Sequence, residues 1–352
     1  MTAPHQRGKK SDYEWFKPIY AQMQARYFEG ITSVPTPWFK VEGNDRVRLI
    51  NNVLDFGAQQ FASPPASSSD PFAAIATPMA QTRSAPGTLA PYCIIEDALS
   101  WAAQRALWSD TPRQSSDGVP VEPVIALAPA LLRNGLLIQA LARYVPEAER
   151  IWLVLPEIRS TVVSVQAATI SWHVRWLIEQ LSRRTRVGLL QASFEAAAMA
   201  GPQLAAIGFA THLSDPRLAK GSSRGSTYGY VTAVHGWAEA ERVRTHLSDL
   251  RSVEEVWASF CGDSNCLQLF EKVGPEQFAR LLFEPPNDGD IAPHRIHTVR
   301  ARPFELDLLA RTPFETLPDQ LVEEARRSPF EGAAIRLSTL AYVLRKSRDQ
   351  AA

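Results

Sequence analysis

The chain has 352 residues, of which 45% are apolar and 21% charged. That composition suits a globular protein with a sizeable core and excludes a disordered or fibrous chain. Lys+Arg and Asp+Glu both total 37, so the global basic excess that marks many nucleic-acid binders is absent. Three cysteines, Cys93, Cys261 and Cys266, are too few for a disulfide framework and point to a reducing compartment. The polar N-terminus lacks a signal-peptide core, and no apolar run reaches the ~18 residues of a membrane span. A soluble cytoplasmic protein is expected.

In chain order, residues 1–60 read as an aromatic-rich N-terminal extension. A helix is predicted over 15–28, with short strands at 38–41 and 47–50 flanking the Glu42-Gly43-Asn44-Asp45 turn. Residues 61–118 read as a Pro/Ser-rich loop region with one helix over 93–108. Its loop, residues 61–91, is expected to be exposed and irregular, with one short strand at 72–76.

Residues 119–352 read as an α/β barrel-like core with C-terminal helices. Apolar runs at 121–128, 151–155, 187–191 and 205–211 alternate with helical patterns over 131–145 and 161–184. That order is the pattern of parallel strands joined by covering helices. The runs lack polar alternation, as expected when both faces are buried. A strand at 228–234, a covering helix at 237–250, a helix at 268–283, a strand at 296–301 and helices from Pro303 onward complete the reading. The fold class is α/β, a TIM-barrel-type mostly parallel sheet, with an open doubly wound sheet as the alternative.

In parallel α/β folds, reactive groups sit just beyond the C-terminal ends of strands. That rule selects Glu157, Arg159, Ser193, Glu195, His212, Asp215 and His235. Glu157, Glu195, His212, Asp215 and His235 could supply ligands or acid–base pairs, and Arg159, with Arg224 and Tyr228 from outside the rule, is a candidate ligand contact. Polar residues at loop entries also cap helices, which is the competing explanation for each. The loop Lys220-Gly-Ser-Ser-Arg-Gly-Ser-Thr227 could cradle a phosphate, but it lacks the phosphate-loop spacing and precedes a strand, so a flexible Gly/Ser loop is preferred. The pair Cys261-Gly-Asp-Ser-Asn-Cys266, with His294 and His297 downstream, invites a zinc reading. On a strand, however, His294 and His297 would face opposite ways, and zinc sites normally show two matched ligand pairs. The segment is therefore read as a turn with two incidental thiols, and no metal is assigned. His173 is placed on the solvated side of its helix. The basic runs Arg183-Arg184-Thr-Arg186 and Arg345-Lys346-Ser-Arg348 suit helix C-termini.

Asp215-Pro216-Arg217, the segment Ser226-Thr-Tyr-Gly-Tyr-Val-Thr232, His235-Gly236, Cys261-Gly262-Asp263-Ser264 and the late His294 and His297 occur in an order that resembles the C-terminal half of the phage beta-protein family. The likeness covers about the last 140 residues. This chain has Tyr228-Gly-Tyr where the family tends to have Arg-Tyr-Thr, and its late histidines are not adjacent. The resemblance implies a barrel-like protein in a setting of phage–host conflict, and carries over no catalytic residue.

Three functions stay open from the sequence. One is a cytoplasmic protein acting through binding. Another is a barrel hydrolase or lyase working at the strand ends through Glu157, His212, Asp215 or His235. The third is a nucleic-acid-handling module that uses the Arg224 loop and the basic helix ends. Cofactor and partner are undetermined, with no membrane expected and a protein or nucleic-acid partner allowed.

Overall fold

The computed structural model describes residues 25–32, 34–35, 37–62, 87–128, 130–155, 165–209, 228–283 and 293–351. The chain separates into two compact units. One is Met1–Pro156 with Leu177–Leu190, and the other is Glu157–Trp176 with Gln191–Ala352. The expected helix over 15–28 lies mostly outside the described residues, as do the strand at 72–76 and most of the loop over 61–91.

The first unit begins with a 3-10 turn, Trp38–Lys40, and helix α1, Gly43–Ala62. Two short strands were expected here. Leu49, Ile50 and Leu54 instead share one buried face at helical spacing, while Val47 is exposed, so the apolar pattern closes on a helix. Strands β1, Thr88–Leu89, and β2, Ile94–Ile95, precede helix α2, Ala98–Asp110. The helix expected from Cys93 thus starts five residues later. The delay has a local cause: Asp97 caps the helix by accepting from the Ser100 N–H, and Ser100 Oγ accepts from the Asp97 N–H.

Next come β3, Val121–Glu122; β4, Val124–Leu127; helix α3, Gly135–Tyr144; β5, Arg150–Val154; helix α4, Val165–Ser182; β6, Arg186–Ala192; helix α5, Phe194–Ala200; and β7, Ala206–Phe209. Strands β1 and β3 pair parallel as a separate ribbon. The main sheet has five strands in the order β2-β4-β5-β6-β7. Its pairs β2–β4, β4–β5 and β5–β6 are parallel, so the α/β class and the mostly parallel sheet are as expected. Among the described residues the strand order ends at β2 and β7, and barrel closure is not seen.

The register explains the unbroken apolar runs. Ile125 pairs with Leu153, and Leu153 with Leu189, so one face is a row of almost wholly buried aliphatics. The opposite face carries Tyr92, Val124, Ala126 and Val154, with the partly buried Ile94, Trp152 and Leu190 packed against them. Helices α3 and α4 bury Ile138, Leu141, Leu177, Ile178 and Leu181 at helical spacing. Arg184, read in the sequence only as a dipole partner of its own helix, donates to the carbonyls of Ala142 (2.6 Å) and Val145 (3.4 Å) at the C-terminal end of α3. His173 is buried, not solvated, with its ring 4.9 Å from that of Trp172.

The second unit, which includes α5 and β7, also holds an antiparallel hairpin of β8, Tyr228–Val231, and β9, Gly236–Glu239. Helices α6, Ala240–Asp249; α7, Val253–Ser259; α8, Ser264–Val273; α9, Pro275–Phe283; α10, Pro293–Arg311; α11, Leu317–Arg327; and α12, Glu331–Ala351 follow. Three expectations change here. Trp237 lies in β9, so the helix predicted over 237–250 begins at Ala240, and it packs on α9 and on the hairpin. The helix predicted over 268–283 is two helices that part at Gly274. The strand predicted over 296–301 is part of α10, where Thr298, Ala301, Glu305 and Leu309 form one buried stripe.

The Gly188–Trp152 pair gives a direct test of the sheet. A Cβ on Gly188 would meet the Trp152 ring at 2.5 Å. The ring cannot withdraw freely, because its Nε1–H donates to Glu122 Oε2 at 2.5 Å. Gly188→Ala is expected to destabilise the fold by about 1–3 kcal/mol, since overpacking outweighs the smaller entropy gain of replacing glycine. Urea unfolding of the two proteins measures this, and equal or greater stability in the variant would contradict the register.

Candidate functional site

Two of the sequence candidates, Glu195 and His235, meet in the second unit around one guanidinium. Arg336, on α12, donates through Nη1 to Glu195 Oε1 and to the His235 carbonyl, and through Nη2 to the Val234 carbonyl. The approach is possible because residue 236 is glycine: a Cβ there would collide with the guanidinium.

The chain reaches this geometry through a 3-10 turn, Thr232–Val234, that joins β8 to β9. His235 ends the turn in the left-handed conformation, φ 50° and ψ 40°, the one non-glycine with positive φ among the described residues. Such a conformation is sparsely populated and persists where the surroundings enforce it. Here the imidazole stacks on Phe194, with centroids 4.1 Å apart and planes 15° from parallel. Its Nε2 lies 3.1 Å from Glu324 Oε2 on α11. Its Nδ1 faces Glu305 Oε1 at 3.4 Å, within ion-pair reach but without hydrogen-bond geometry.

Glu305 is fully buried on α10. The Tyr230 hydroxyl donates to its Oε1, and Arg302 Nη1 donates to its Oε2 at 2.6 Å and to the Tyr230 hydroxyl oxygen at 2.6 Å. Burial, followed by the nearby Glu195 carboxylate, pushes the Glu305 carboxyl well above the usual glutamate range. The charge of Arg336 pulls the other way, and burial outweighs it. Burial also opposes ionisation of Glu195, but the charge of Arg336 and its hydrogen bonds overcome that cost and hold the carboxyl below its ordinary range. Burial pulls Arg302 down to about 10, still charged at neutral pH. The cluster thus contains two glutamates driven in opposite directions, with a histidine between α10 and α11.

Tyr228 lies in β8, where its backbone pairs with Glu239. Glu157, Arg159, His212, Asp215 and Arg224 lie outside the described residues. Tyr230, Arg302, Glu305, Glu324 and Arg336 escaped the strand-end rule, because four of them are on helices. The available signal was the placement of Arg302 and Glu305, one turn apart, on the stripe that also carries Ala301 and Leu309.

A second cluster in the same unit contains the residues read as incidental thiols. Cys261, Cys266 and His297 are all buried, and their donor atoms lie within 4.8 Å of one another. The strand argument against this grouping does not apply, since His297 is on a helix. A hydrogen bond with Cys266 outweighs burial and, with His297, lowers the Cys261 thiol to about 4, while Cys266 is pushed up.

The opposed glutamates make stability depend on pH. Native Glu305 keeps a proton that the unfolded chain releases above about pH 4.3. Its contribution is therefore complete below that value and is lost as pH rises towards the folded-state pKa, at up to about 1.4 kcal/mol per pH unit. Glu195 has the reverse sign: its contribution is present above the ordinary range and is lost on acidification. Glu305→Gln keeps a neutral side chain and is expected to flatten the fall in unfolding free energy as pH rises above the ordinary glutamate range. Urea titrations of both proteins test this, and parallel pH profiles would show that Glu305 is ionised in the native state.

The chain matches no protein-family model, no curated protein and no solved structure.

Proposed function

We propose that the second unit is a general acid–base enzyme of the hydrolase or lyase class, with His235 as the base and Glu305 as the acid. The single observation that carries this is the Glu324–His235–Glu305 array. Glu324 accepts the Nε2 proton at 3.1 Å, which leaves Nδ1 as the lone-pair nitrogen facing Glu305. A carboxylate that orients an imidazole, with a second proton-carrying group 3.4 Å from its other nitrogen, supports acid–base chemistry at this place.

Glu195 has a positioning role. Its carboxylate fixes Arg336, and Arg336 holds the carbonyls of Val234 and His235, so the strained turn presents the imidazole at one angle. Glu305 and Glu195 differ in environment, not residue type, and this separates proton carrier from fixed charge. The Glu324 side chain is 23% exposed and that of Arg336 16%, so solvent reaches the cluster at this edge, while Glu305 at 0% lies at its base. Among the described residues no helix is long and apolar enough to cross a membrane.

We also read the main sheet as singly wound. Its spatial order is its chain order, and right-handed crossovers through α2, α3 and α4 then fall on one face. A doubly wound sheet would reverse direction at a switch point. Sequential winding is the sense in which a barrel is built, which supports a barrel-like reading of this sheet.

Nitrophenyl esters, glycosides and phosphates form a suitable first panel. Purified chain is expected to turn over at least one of them, with a loss of about 10²–10⁴-fold in His235→Asn and Glu305→Gln and a smaller loss in Glu324→Gln. Circular dichroism and thermal melts establish that each variant is folded. Turnover that survives both substitutions, or turnover of none of the panel, would count against the assignment.

A further inference from the structure

We propose that Cys261, Cys266 and His297 form a binding site for one zinc-type divalent cation. This goes beyond the acid–base reading and does not depend on it. The three donors come from separate places. Cys261 precedes α8, Cys266 lies in the first turn of α8, and His297 lies in the second turn of α10. Exposure is 0% for Cys261, 7% for Cys266 and 4% for His297.

The geometry is that of a coordination shell. Cys266 Sγ lies 3.3 Å from His297 Nδ1. A tetrahedral zinc ion with Zn–S of about 2.3 Å and Zn–N of about 2.0–2.1 Å holds its sulfur and nitrogen donors about 3.5 Å apart. His297 Nε2 lies 3.0 Å from the Tyr230 carbonyl, the partner that fixes the ring tautomer and leaves Nδ1 free to coordinate. The imidazole also stacks on Phe260 at 4.8 Å and 14°. Asp263 N–H donates to Cys261 Sγ at 3.3 Å, the usual backbone support of a ligating thiolate.

Asp263 itself is occupied, since its Oδ1 accepts from the N–H and the Nδ2 of Asn265. Among the described residues no further His, Cys, Asp or Glu joins the group. Three protein donors leave the fourth tetrahedral position to water or another small donor. Thiolate and imidazole donors select zinc-like ions over magnesium or calcium, which take oxygen. A disulfide between the two cysteines is the competing fate of the same thiols, and it would leave His297 Nδ1 without a partner in a buried place.

The test uses the full chain, expressed with zinc in the medium and purified without chelator. Elemental analysis is expected to find about one zinc per chain in the wild type, and under a tenth of that in Cys261→Ser and Cys266→Ser. Cobalt loaded in place of zinc is expected to give a thiolate-to-metal absorption band that Cys266→Ser loses. Should the serine variants fail to fold, alkylation of the wild-type thiols decides: zinc is expected to slow it relative to chelator-treated protein. Wild type without stoichiometric metal after zinc loading, metal content unchanged in folded variants, alkylation indifferent to zinc, or a Cys261–Cys266 disulfide in a non-reducing digest would each overturn the site.

Discussion

The pairing of Glu195 with Arg336 is the constraint on which the site depends. A carboxylate and a guanidinium taken out of water each lose several kcal/mol of hydration, and only close mutual contact with further hydrogen bonds restores it. Arg336 has five donor hydrogens, and three of them meet Glu195 and two carbonyls of the turn before β9. The left-handed residue at 235 and the missing side chain at 236 follow from that demand. Removing either member of the pair would strand a buried charge, at a cost of about 3–5 kcal/mol.

Tyr230 ties this ion pair's surroundings to the cysteine cluster. Its carbonyl meets His297, and its hydroxyl meets Arg302 and Glu305. The three partners lie along α10, so one strand residue makes polar contacts with three positions of a single helix. A cation at Cys261, Cys266 and His297 would fix the N-terminal end of that face and with it the axial position of Glu305. The two clusters are thus separate in chemistry and draw on one helix and one tyrosine.

The parts of the fold that were legible in the sequence are those governed by short-range apolar pattern. Ile151, Leu153, Val187 and Leu189 announce buried parallel strands because no polar residue interrupts them, and Leu177 and Leu181 mark their helix face by spacing alone. The pattern misleads where few residues carry it. Val47 and Ile50 suit a strand as well as a helix, and the contacts of Leu49 and Leu54 decide for the helix. At 296–301 the β-branched residues suggested a strand, yet the buried stripe from Thr298 to Leu309 continues at helical spacing. The strand-end rule reached Glu195 and His235, which are tied to the sheet and the hairpin. It could not reach Glu305, Glu324 and Arg336, because nothing local sets their meeting: it is fixed by helix packing between residues up to 141 positions apart.

The central claim is that one environment splits two glutamates, holding Glu305 neutral and Glu195 charged beside His235. Carbon-13 NMR of the side-chain carboxyls, assigned through Glu195→Gln and Glu305→Gln, reads each titration separately in the folded protein. The account expects the Glu305 signal to titrate well above the ordinary glutamate value of about 4.3, and the Glu195 signal below it. Two carboxyls that titrate together near that value would contradict it.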